Sequence, residues 1–168
     1  MPILVFENYE TSDLELTVEP WGDRHLVPHL AEAGIRYTLS DGAEDRSYSS
    51  VSNGRIELWL NADRYEIEIV PPTPFGRLMW DICVNGGWCG GIVDGKLTTV
   101  DMLLPKSGTV TAGAFAELVD EAECGPMPEP PNPDLLRWLE GRFVEHLGAD
   151  EVGVEQLQRM RPGPFDQD

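Results

Sequence analysis

Basic residues are scarce in this chain, and their scarcity excludes more than any motif does. Only 12 Lys and Arg stand against 30 Asp and Glu, which sets the formal net charge at -18 and the isoelectric point near 4.3. Lys96 and Lys106 are the only lysines and the arginines are scattered singly, so no basic cluster exists to neutralise phosphates and direct nucleic-acid binding is not expected. An anionic membrane surface is disfavoured by the same repulsion. Long apolar runs are also missing: no stretch approaches the roughly 18 residues that a membrane-spanning helix needs. Cysteine is sparse and odd in number, with Cys83, Cys89 and Cys124. The opening ten residues lack the basic start and long apolar centre of a secretory signal, so free thiols in a reducing cytoplasm are the expected state.

What is present is the composition of a folded protein, with 41% hydrophobic and 25% charged residues over 168 positions. The acid is spread evenly. Residues 1–73 carry 14 acids and 5 bases and residues 74–168 carry 16 and 7, so each half nets -9 and no acidic tail accounts for the charge. Such a charge keeps a protein soluble and favours a basic protein partner or a cation.

Apolar and polar residues alternate with a period of two in the first half. Leu14, Leu16 and Val18 face away from Glu15, Thr17 and Glu19; Ile35, Tyr37 and Leu39 from Arg36 and Thr38; Tyr65, Ile67 and Ile69 from Glu66 and Glu68. Asn53-Gly54, between Tyr48–Val51 and Ile56–Leu60, supplies the positive φ angles of a tight hairpin. With Ile3–Phe6 added, these segments predict about six strands in an antiparallel sheet or small sandwich. Pro71, Pro72 and Pro74 end the alternation, and Phe75, Leu78, Met79, Ile82 and Cys83 then repeat at helical spacing behind a Thr73 cap. A small hairpin is expected around Asp94-Gly95. Thr111 should cap a second helix, lined by Phe115, Leu118, Val119 and Ala122 and stopped at Gly125. The Pro126–Pro133 stretch reads as a loop. Asn132-Pro133 should start a third helix, lined by Leu135, Leu136, Leu139, Phe143 and Leu147, and a fourth is expected over 151–160. The reading is an α+β fold: a β-rich part over 1–73, a mainly helical part over 74–160 and a mobile tail over 161–168.

Several groups carry candidate chemistry. The stretch Asn85-Gly86-Gly87-Trp88-Cys89-Gly90-Gly91 does not match a phosphate loop, because it follows a helix and lacks a closing Lys-Ser or Lys-Thr. It reads as a helix stop and sharp turn pinned by Trp88, or else as a loop holding Cys89 as a nucleophile with His146 as its base. His25 and His29 have a metal-like spacing, but Pro28 lies between them, so neither a metal nor a cofactor is expected. Glu15, Glu19, Glu66 and Glu68 point outward and would form an acidic wall if their strands were neighbours. Trp59 lies on the Glu57 side of its strand, opposite Ile56, Leu58 and Leu60, as either a packing residue or an exposed anchor.

Leu14–Asp23, L-E-L-T-V-E-P-W-G-D, and Gly87–Val119, with the G-G-x-C-G segment and the helix V-T-A-G-A-F-A-E-L-V, resemble segments of uncharacterised bacterial proteins of unknown function. That resemblance covers part of the chain and implies no activity. In composition the chain is also similar to acidic bacterial immunity proteins that block toxins. The reading is therefore a non-enzymatic acidic protein that binds a basic partner, with Glu15, Glu19, Trp59, Glu66 and Glu68 as its contact residues. The alternative is a small enzyme built on residues 85–91, Cys89 and His146.

Overall fold

The computed structural model describes residues 1–39, 42–87, 89–93, 95–124, 132–157 and 163–166. It is an α+β fold, strands first and helices after, and it divides into two compact units. The first is Met1–Pro72 with the described part of the tail, 163–166; the second is Thr73–Met160.

The first unit has seven strands among the described residues: β1 Ile3–Glu7, β2 Leu14–Glu19, β3 Asp23–Val27, β4 Glu32–Thr38, β5 Tyr48–Ser52, β6 Arg55–Trp59 and β7 Arg64–Val70. They form a three-stranded sheet in the order β1-β4-β7 and a four-stranded sheet in the order β3-β2-β6-β5. The inward side chains of both sheets make one core, in which Leu16, Val18, Val27 and Leu58 from the larger sheet meet Ala33, Ile35 and Tyr37 from the smaller. This is a small sandwich. The three-stranded sheet is antiparallel throughout, but β2 and β6 pair in parallel, so the larger sheet is mixed and the expectation of purely antiparallel strands is corrected there. Alternation reports which face is buried and is silent about strand direction. The strand that the pattern misses, β3, lies at a sheet edge and shows no regular alternation of burial.

Asn53 (φ 47°) and Gly54 (φ 73°) both adopt left-handed backbone, the type I′ geometry that suits a two-residue hairpin, and Ser52 pairs with Arg55 across it. The register that follows puts Tyr48 opposite Trp59.

The second unit holds α1 Pro74–Val84, β8 Gly90–Val93, β9 Lys96–Thr99, α2 Val100–Leu103, β10 Thr109–Thr111, α3 Ala112–Cys124, α4 Pro133–Leu147, β11 Glu151–Gly153 and a 3-10 turn, Val154–Leu157. Thr73 caps α1 by accepting from the Gly76 N–H at 2.9 Å. Asn132 caps α4 through the Asp134 N–H, and Gly148 (φ 76°) ends it. Thr111 accepts from the Ala114 N–H at 3.2 Å at the start of α3. Phe75, Phe115 and Phe143 run through the core, with ring centroids 6.0 Å apart in the first pair and 5.1 Å in the second.

Two expectations fail here and one element is new. Cys83 is exposed although Phe75, Leu78, Met79 and Ile82 of the same stripe are buried. The short helix α2 is unanticipated. No helix covers 151–157; Glu151–Gly153 instead pairs antiparallel with Thr109–Thr111, because β-branched Val152 opposite Val110 buries both and Gly153 disfavours helix. The Gly125 stop, most of the Pro126–Pro133 loop, Trp88 and residues 158–160 lie outside the described residues.

Residues 163–166, assigned by sequence to a mobile tail, form a turn against the outer face of the smaller sheet. Phe165 lies under the Arg36 guanidinium at 4.4 Å and its N–H donates to Glu68 Oε2 at 2.5 Å. Gly34 makes this approach possible, since a Cβ there would fall 2.2 Å from Pro164 Cβ.

Candidate functional site

The four glutamates do not share a wall. Glu15 and Glu19 belong to β2 in the larger sheet, whereas Glu66 and Glu68 belong to β7 in the smaller, so the condition for a single acidic surface is not met. Arg36 reaches Glu66 Oε2 at 2.6 Å, and Glu68 holds the tail. Glu15 has Arg55 at 3.6 Å.

On the larger sheet, register gathers a different group. Glu19 pairs with Trp59 and Trp59 with Tyr48, while Thr17 pairs with Glu57, so these side chains stand on one outward face. Trp59 is 40% exposed and Tyr48 60%, and their rings stack at 6.2 Å with an interplanar angle of 5°. Tyr48 was open to detection in the sequence: counting back from the Asn53-Gly54 turn puts it opposite Trp59.

Beside this pair is a cleft of about 290 Å³ between β1 and β5, the edge strands of the two sheets on this side of the sandwich. Its walls include Leu4, Phe6 and Leu58, with Tyr37, Asp45 and Ser47 as polar groups. The Tyr37 hydroxyl donates to Asp45 Oδ2 at 2.6 Å and the Ser47 N–H donates to Oδ1 at 2.9 Å. The Tyr37 hydroxyl, then the Ser47 side chain and its N–H, hold the Asp45 pKa below its ordinary value, while burial, and then the bond to Asp45, push the Tyr37 hydroxyl up. Asn61 fixes the loop in place, donating from its backbone to Ser47 Oγ and from its side chain to the Glu44 carbonyl. Asp45 thus presents a fixed negative charge beside an apolar slot. Sequence reasoning missed Tyr37 and Asp45 as a pair because one lies on a strand and the other in a loop.

The opposite side of the sandwich, between β7 and β3, is bridged by side chains. Tyr65 donates to Asp23 Oδ2 at 2.5 Å, His25 Nε2 lies 3.3 Å from the same hydroxyl, and Trp21 packs on Tyr65 at 5.0 Å. Burial raises the Tyr65 pKa first, and the Asp23 bond raises it further. His25 therefore stands on a strand while His29 Nδ1 lies 2.6 Å from the Glu10 carbonyl, and neither is part of a helical metal pair. Among the described residues no group of three or more His, Cys, Asp or Glu is placed to hold a metal ion.

In the second unit the Cys89 thiol donates to the Met79 carbonyl at 3.2 Å, and His146 Nε2 faces Asp81 Oδ2 at 2.9 Å. Arg142 is 3.6 Å from the same oxygen, and the Asn85 side chain donates to Asp81 Oδ1 at 2.6 Å. These hydrogen bonds lead Cys89 and His146 to different partners. The Asp81 cluster ties α1 to the C-terminal half of α4.

No family model, no curated protein and no solved structure matches this chain.

Proposed function

We propose that this is a non-enzymatic binding protein that engages a basic protein partner through the outward face of the larger sheet, an immunity or inhibitor protein of the bacterial cytoplasm being its concrete form. The carrying observation is the stacked, solvent-facing Tyr48–Trp59 pair with Glu19 beside it. A guanidinium or ammonium group gains about 0.5 to 2 kcal/mol over an aromatic face, and neighbouring carboxylates add attraction. Glu15 and Glu57, with the net charge of -18, would steer the approach. Glu66 and Glu68 belong to the other sheet and contribute through the overall field.

The test is capture of the partner from the native host with the unaltered protein and with Trp59→Ala and Glu19→Gln, followed by association kinetics across a salt series. A basic partner whose affinity falls about 30-fold with Trp59→Ala, and whose association slows with salt, is expected. A partner indifferent to Trp59→Ala, or one as acidic as this chain, would overturn the proposal.

A further inference from the structure

β5 ends the larger sheet, every one of its residues is exposed, and it carries neither charge nor proline. Natural edge strands are normally blunted by one of those devices, because an open row of N–H and C=O groups invites another strand. The hairpin fixes which groups are open. In a two-residue type I′ hairpin the closing pair, here Ser52 and Arg55, is hydrogen-bonded, and bonding then alternates along the strands. Ser50 and Tyr48 are thereby turned toward β6, and the backbone groups of Ser49 and Val51 face outward.

Ser49 and Tyr48 both line the cleft that holds Asp45, and Ser49, paired with the buried Leu58, stands on the inner face of its strand. A strand laid along β5 would place one side chain, opposite Ser49, into that cleft, and its neighbours on the other face beside Tyr48 and Trp59. The cleft's apolar walls and its single carboxylate suit the aliphatic stem and charged head of lysine or arginine. We infer that β5 is the acceptor edge for an extended segment of a basic partner, which adds as a fifth strand and seats a lysine or arginine against Asp45. This deepens the reading of the larger sheet as a binding face and rests on it. Pairing of two copies edge to edge is opposed by their charges of -18 each.

The probe is a decapeptide alternating lysine with valine, titrated into the intact protein at low salt while tryptophan fluorescence is followed, with Trp59→Phe identifying the share that comes from Trp59. Comparison peptides replace lysine by glutamate or norleucine, or carry N-methyl groups on all lysines or on all valines. Expected are binding of the lysine peptide, failure of the glutamate peptide, and an affinity loss of about tenfold or more for one N-methylated set with little change for the other. Asp45→Asn should remove most of the preference for lysine over norleucine, about fivefold for an exposed pair. Ser49→Pro removes only an outward N–H and should weaken binding with circular dichroism unchanged. Unmethylated and both methylated peptides binding alike would overturn strand addition and leave the basic-partner reading standing; equal binding of the glutamate peptide would overturn that reading as well. Absence of lysine-peptide binding up to about 1 mM, or concentration-dependent dimerisation through β5, would overturn the inference, while the partner capture still tests the reading beneath it.

Discussion

The two units differ in where they put their most prominent aromatic rings. The helical unit buries Phe75, Phe115 and Phe143 completely, one ring against the next. The sandwich leaves Tyr9, Trp21, Tyr48 and Trp59 at least 39% exposed. Aromatic rings stabilise a fold most when buried, so the exposed Tyr48–Trp59 stack is where the proposed binding and the needs of packing can be told apart.

The largest effect should come from attacking the packed side. Phe115→Ala removes the ring that touches both of the other phenylalanines and should cost about 3 to 5 kcal/mol, read from denaturant unfolding. Trp59→Ala, by contrast, should cost no more than about 1.5 kcal/mol, the scale of one aromatic pair, while abolishing most binding. Comparable losses of stability from the two substitutions would dissolve the distinction between the units.

A middle-sized effect is expected where the tail meets the sandwich. Gly34→Ala puts a methyl group where Pro164 and the Phe165 ring now lie, so either the smaller sheet strains by about 1 to 3 kcal/mol or residues 163–166 leave it. Faster proteolysis of the carboxyl-terminal segment is the expected readout, and Phe165→Ala should give a weaker version through loss of the Arg36 contact. Unchanged cleavage in both variants would show that the tail is held by something else.

The caps are smaller still. Thr73→Ala and Asn132→Ala should each cost about 1 kcal/mol, because each removes the acceptor for an N–H in a helix's first turn. Both caps were legible in the sequence, as were the hairpin turn, the buried faces of β2, β4 and β6 and, Cys83 apart, the stripe of α1; in β7, Tyr65 and Ile67 are only half-buried and Ile69 is exposed. These features depend on residues close together along the chain. What escaped depends on distance in sequence. The parallel pairing of β2 with β6 joins segments that sequence periodicity treats as independent, and Thr109–Thr111 with Glu151–Gly153 is too short to show a period. The acidic wall failed for the same reason, since outward direction was readable and adjacency was not. Trp59 and Glu19 were legible as outward groups, whereas the slot made by Leu4, Phe6, Tyr37 and Asp45 exists only once two sheets face each other.

The smallest effect concerns pH and separates the two sides of the sandwich. Burial and the bond to Asp23 raise the Tyr65 pKa above its ordinary 10.0, so the folded state holds that proton more tightly than the unfolded chain does. The stabilisation is fully present below about pH 10 and is lost as pH rises from there through the folded value, because the unfolded chain then ionises first. Tyr65→Phe cannot ionise. It should be less stable than the parent at neutral pH by about 0.5 to 1.5 kcal/mol, one hydrogen bond, and the gap should close as pH rises above about 10. Asp23→Asn should shift the late part of the tyrosine absorbance titration to lower pH, since it removes the negative charge next to the hydroxyl. Tyr37, raised in the same direction on the cleft side, should keep some alkaline sensitivity in the Tyr65→Phe variant. Urea midpoints measured on both sides of pH 10 decide the matter: parallel curves for parent and Tyr65→Phe would mean that the Tyr65–Asp23 bridge contributes nothing to the alkaline limit of the sandwich.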